Sequence, residues 1–204
     1  MPTRRQELSW SETRENKVDD TDDNASLLDG FLFDIEQMKR DLNSDDQMQL
    51  TVRAHLYVEH ILMELLKISL PHHGRLTLDR VNFMLKMEIC AATGALNPAL
   101  IDPIKHLNTF RNRLAHNLHY ELTEKDKQKI FDSFDKNSRL LILENGKKGQ
   151  ISTLEETPLS QVYKVIVVLL EISRQRYLEW TNKKKAAFEN AKRVLGKFDG
   201  TTKI

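Results

Sequence analysis

Between Gln47 and Pro71 the apolar residues Leu50, Ala54, Val58, Ile61, Leu65 and Ile68 recur at steps of three or four. Only an α-helix gathers that spacing onto one face. A face of this length must be covered by other helices, and the chain supplies them. From Ser26, the residues Leu28, Phe31, Ile35, Met38 and Leu42 repeat the pattern. After Thr157-Pro158, so do Val162, Val165, Ile166, Leu169, Ile172 and Trp180. With only seven glycines and five prolines in 204 residues, the expected fold is all-α, an antiparallel helical bundle.

Local signals set the expected boundaries. Ser44 and Gln47 have capping-box spacing at the start of the long helix. Thr77 caps a third helix that runs to Gly94, where a left-handed turn suits glycine. Asp102-Pro103 reads as an N-cap and first-turn proline for a helix lasting to about His119, and Lys125 to Asp135 forms a short one. From about 139 to 154 the pattern changes. Leu140-Leu141-Ile142-Leu143 and Gln150-Ile151-Ser152-Thr153-Leu154 flank Asn145-Gly146, which predicts one small β-hairpin insertion. The chain thus divides into a disordered charged tail (1–24), one helical domain (25–197) and a flexible C-terminus (198–204).

Composition removes several classes. One cysteine, Cys90, sits in an apolar helical pattern and reads as a core residue; it excludes an intramolecular disulfide framework. No run of eighteen apolar residues exists and Met1 to Trp10 lacks a signal-peptide core, so no membrane contact and a cytoplasmic location are expected. A net charge of +1 does not announce nucleic-acid binding, so any basic surface must come from uneven placement.

The residues that carry chemistry are Arg111-Asn112-Arg113-Leu114-Ala115-His116. Ile104, Leu107, Leu114 and Leu118 define one helical face, and Arg111 falls near its middle, where Leu or Ile would be expected. Asn112 and His116, four apart, share an adjoining face. A cation on an apolar seam is either a packed stem with a hydrated head or the lining of a cleft that meets an anion.

This stretch resembles the signature of the HEPN superfamily: an arginine, a polar residue that is often asparagine, three further residues and a histidine. Leu107-Asn108-Thr109-Phe110 ahead of it, and the segment Leu78 to Gly94, resemble the mannitol-repressor-like and defence-associated members. Arg53-Ala54-His55-Leu56-Tyr57-Val58-Glu59 is similar to the family's second helix with its acidic residue. The resemblance spans residues 25–120 and implies a metal-independent endoribonuclease acting as a homodimer, of the toxin–antitoxin or anti-phage defence kind. Arg111, Asn112 and His116 would be catalytic, with Arg53 and Glu59 as further substrate contacts. No metal or cofactor is implied. An antitoxin or defence-system protein would be a possible partner. In antitoxin-modified members a tyrosine lies two residues after the motif histidine; here that place holds Leu118.

The residues permit the implied chemistry. A histidine serves as acid or base near neutral pH, and an arginine clamps phosphate with two parallel bonds. One copy offers one motif histidine, so two motif helices across a two-fold axis would supply the pair that RNA cleavage uses. Rival sites are weaker: His72-His73 lies in a turn without a metal-spaced partner, and His55, His60 and His106 are scattered on helices. From Ile172 to Lys197 eight basic residues, among them Lys183, Lys184 and Lys185, face two acidic ones, with Tyr177 and Trp180 interleaved. That segment is either a solvated helix face or an RNA contact. The alternative to an enzyme is a catalytically silent HEPN-like regulatory or assembly module acting through dimerisation and partner binding.

Overall fold

In a computed structural model, residues 30–117, 119–144 and 151–198 are described, with side chains to residue 194. The charged tail, Ser26, Leu28, Leu118, the Asn145-Gly146 turn and the C-terminal residues 199–204 lie outside them. The described chain is mostly helical: α1 (Ile35–Asp41), α2 (Gln47–Ser69), α3 (Phe83–Ala92), α4 (Ile101–His116), α5 (Glu124–Asp132), α6 (Lys136–Leu143) and α7 (Leu159–Phe198). None of these helices is long and apolar enough to cross a membrane.

Helix α2 is the central element. Its stripe Leu50, Ala54, Val58, Ile61 and Leu65 is fully buried, and α3, α4 and α7 all pack on it. On α7 the buried seam is Val162, Tyr163, Ile166, Val167 and Leu170, rotated from the expected one; Val165, Leu169 and Ile172 are only half-buried and Trp180 is 49% exposed. Burial of this kind contributes about 25 cal/mol per Å² of apolar surface, enough to make α2 the hub. Tyr163 brings a hydroxyl into this seam and meets Thr51 at 3.2 Å, so the buried polar group is satisfied. Cys90 is a core residue whose thiol is pushed up to about 12 by burial.

Several boundaries differ from the sequence expectation, each for a local reason. Helix α1 starts at Ile35 and not at Ser26, because Asp34 caps it and the preceding backbone is bonded elsewhere. Leu32 N–H donates to Glu171 and the Gly30 carbonyl accepts from Arg174, both on α7. Asp46, and not Ser44, caps α2, its carboxylate accepting from the Met48 and Gln49 amides. Asn82 takes the capping role expected of Thr77, which instead precedes a 3₁₀ turn. Gly94 follows α3 with φ +72°, the left-handed turn expected there. The motif helix begins at Ile101 behind a 3₁₀ turn capped by Asn97 and ends at His116.

The expected first hairpin strand is helical. Leu140–Leu143 is the last turn of α6, which Asp135 starts by accepting from the Asn137 and Ser138 amides and the Ser138 hydroxyl. Only Ile142 of that run is buried. A lone two-stranded ribbon is marginal in water, and the capped helix wins. What remains of β-structure among the described residues is one antiparallel bridge, Glu144 to Ile151.

Candidate functional site

Ile104, Leu107, Phe110 and Leu114 of α4 are buried against α2. Arg111 lies in line with them and is half-buried, its Nη1 donating to Asn112 Oδ1 at 3.1 Å. Among the described residues no carboxylate lies within ion-pair distance of it. The contrast with other basic residues is informative: Arg53 pairs with Asp41, Lys86 with Glu59, Arg113 with Asp126 and Arg174 with Glu171. His116 ends the helix and is exposed, one turn beyond Asn112. The motif therefore offers a cation with no counter-ion among the described residues, an amide bonded to it and an accessible imidazole.

Behind the motif stands a polar layer that sequence reading did not assemble. His55 Nε2–H on α2 donates to Asn108 Oδ1 on α4 at 3.1 Å, and the imidazole stacks on Phe83 of α3 at 4.1 Å. One turn along α2, Glu59 accepts from Lys86 of α3 at 2.6 Å; Lys86 is only 2% exposed. Glu59 is therefore a structural counter-ion, one that neutralises a buried ammonium. The signal for this layer was present as spacing: His55 and Glu59 are four apart on α2, and Asn108 is three before Arg111 on α4.

Burial is the main cause holding the His55 imidazole below its ordinary value of 6.5, with Arg111 and Lys86 adding to it and the Asn108 bond and Glu59 opposing. An unfolded His55 would take up its proton near pH 6.5 while the folded one resists, so its contribution to stability is complete above about pH 6.5 and is lost as pH falls through the folded value. We expect an NMR titration of His55 to show a midpoint below 6.5, and His55→Gln to flatten the acid side of the stability curve below about pH 6.5. A His55 midpoint at or above 6.5 would contradict the packing described here.

No family model, no curated protein and no solved structure matches this chain. The site must therefore be read from its own geometry.

That geometry does not join all the expected residues. Arg53 lies about 120° around α2 from Glu59. It pairs with Asp41 at 2.9 Å beside the Tyr57 hydroxyl and so belongs to the α1–α2 contact. Lys183, Lys184 and Lys185 stand far from His116. The segment before α4 (Asn97, Pro98) lines an open groove with Arg176, Tyr177 and Trp180 of α7, whereas the segment after α4 is fixed to the start of α2 by Gln47 and Leu122. The lysines continue outward from Trp180, so within one chain they lie beyond the opposite end of α4, a helix of sixteen residues or about 24 Å. Lys184 Nζ sits 4.0 Å from the centroid of the Trp180 ring, itself 5.5 Å from that of Tyr177.

The chain just after the motif is held by a separate network. Arg113 donates to the Tyr120 hydroxyl at 3.2 Å, and Tyr120 donates to Asp126 at 3.1 Å. Asp126 also closes the capping box of α5 with Thr123. Burial works against ionising Asp126, but its bonds from Thr123 and Tyr120 and the Arg113 charge hold it below the usual carboxylate range. Tyr120 is thereby tied into structure. Among the described residues no three His, Cys, Asp or Glu side chains group as metal ligands would.

Proposed function

We propose that this chain is a metal-independent endoribonuclease of the HEPN type, an antiparallel helical bundle that works as a homodimer with two motif helices lining one cleft. The carrying observation is Arg111: half-buried, without a carboxylate partner among the described residues, and five residues before an exposed His116 on the same helix. A cation held this way is set to receive an anion, and a phosphodiester supplies one. In the reaction that fits these groups, the 2′-hydroxyl loses its proton to a base and its oxygen attacks phosphorus. The P–O5′ bond breaks, and an acid returns a proton to the leaving 5′-oxygen. The products are a 2′,3′-cyclic phosphate and a 5′-hydroxyl. His116 from each protomer would serve as acid and base, Arg111 would meet the charge that grows on the phosphorane, and Asn112 would orient the guanidinium. The setting proposed is a toxin–antitoxin or anti-phage defence system in the cytoplasm.

A second reading has an observation of its own. Because Lys183, Lys184 and Lys185 are not brought to the motif within one chain, no single groove unites the expected RNA contacts. A silent regulatory or assembly module, dimerising through the motif helix, fits that separation. Both readings need a dimer, and only the first needs the two His116 rings in one cleft. Light scattering at micromolar concentration is expected to return twice the chain mass, and a structure of the dimer to place both rings about one phosphate. A monomer would sink both readings; rings on opposite surfaces would leave only the second.

A further inference from the structure

The outer half of α7 carries charge and apolar surface that nothing among the described residues covers. From Arg176 outward every residue but Tyr177, Leu178 and Thr181 is exposed as far as residue 194, including Trp180, Phe188 (69%) and Val194. The basic residues Lys183, Lys185 and Lys192 have no ion-pair partner among the described residues. An isolated helical segment of this length is marginal in water, so contact along it would stabilise it.

The place where the N-terminal segment meets the domain singles out an occupant. Gly30 is held at the base of this arm: its carbonyl accepts from Arg174 Nη2 at 2.7 Å, and Leu32 N–H donates to Glu171, the fully buried partner of Arg174. Gly30, the first described residue, therefore lies on the Arg174 face of α7. At about 100° per residue Lys185 lies within about 20° of that face and Lys192 in line with it, about 16 and 27 Å outward, whereas Lys183 is on the opposite side. Counting back from Gly30, Asp23 and Asp22 are seven and eight residues away and Asp20 and Asp19 ten and eleven. An extended chain spans at most about 3.3–3.6 Å per residue, so the first pair reaches Lys185 and the second reaches Lys192.

We propose that the acidic segment Asp19-Asp20-Thr21-Asp22-Asp23 docks along the Lys185–Lys192 face of α7 in the same chain, covering the basic arm. Single exposed ion pairs contribute little, but tethering at Gly30 supplies a high effective concentration and several pairs act together. The contact itself does not depend on the ribonuclease reading. Its consequence, that the segment competes with RNA for the arm, rests on it.

Zero-length carbodiimide cross-linking of the full chain, as an equal mixture of ¹⁴N- and ¹⁵N-labelled protein at low salt, tests the contact. Cross-links from Asp19, Asp20, Asp22 or Asp23 to Lys185 and Lys192 are expected within one isotope, well above those to Lys183, and to fade as salt rises. Absence of these cross-links, equal capture of Lys183, or cross-links mainly between isotopes would overturn the proposal, the last assigning the arm to a second copy. Competition is read with fluorescent polyuridine. Replacing the four aspartates with asparagine is expected to tighten binding about five-fold at low salt, the change that follows if the arm is free about one-fifth of the time. Equal binding by the two proteins would overturn competition. If neither binds, the ribonuclease reading fails and the cross-links still decide the contact.

Discussion

Replacing His116 with alanine is expected to leave a folded protein that cleaves RNA about 10²–10⁴-fold more slowly, the usual cost of removing a general acid or base. The fold should survive because the side chain is exposed at the last residue of α4 and has no hydrogen bond among the described residues. The control is internal. Asn117 N–H still closes on the Arg113 carbonyl at 2.9 Å, and the Arg113–Tyr120–Asp126 network that holds the following segment does not involve the imidazole. Circular dichroism and the melting temperature should therefore match wild type while cleavage of a labelled RNA is lost. Undiminished cleavage by pure His116→Ala protein would move the chemistry away from this helix.

Arg111→Met is expected to separate activity from stability in the opposite sense. Methionine keeps most of the stem packing beside Leu107 and Leu114 but removes a charge that has no carboxylate partner among the described residues. Exchanging an uncompensated, partly buried charge for a flexible apolar side chain is neutral or stabilising. A gain of about 1 kcal/mol would raise the melting temperature by roughly 2–4 °C in a chain of this size. Cleavage should fall by about 10²–10³, as when a donor to the developing phosphorane charge is removed. The combination is diagnostic: a residue kept for function destabilises its own fold. A lower melting temperature with unchanged cleavage would make Arg111 a structural residue.

The two variants rest on features with different legibility in sequence. The seam position of Arg111 was readable because Ile104, Leu107 and Leu114 fix the face by periodicity, and α4 buries that face as expected. The partners of that face were not readable. His55 of α2 bonds Asn108, three residues before Arg111, and Lys86 of α3 bonds Glu59 of α2; only packing brings the three helices together. The same limit explains Arg53, whose place in a family-like helix suggested substrate but whose guanidinium is taken by Asp41 from α1. Leu140–Leu143 misled for a local reason. Four apolar residues before Asn-Gly satisfy a strand template, yet the Asp135 cap three residues upstream of Ser138 commits them to helix. The rotated seam of α7 is a third case: with apolar residues on more than one face, periodicity alone could not say that Tyr163 and Val167 are fully buried and Val165 only half-buried.

The proposed ribonuclease would cut RNA with its own side chains, through Arg111 and His116. Its most direct test is incubation of purified protein with RNA in excess chelator, followed by analysis of the new ends. Cleavage is expected to persist without metal, to leave 2′,3′-cyclic phosphate and 5′-hydroxyl ends, and to disappear with His116→Ala. Intact RNA, or cutting that returns only when Mg²⁺ or Mn²⁺ is restored, would contradict it.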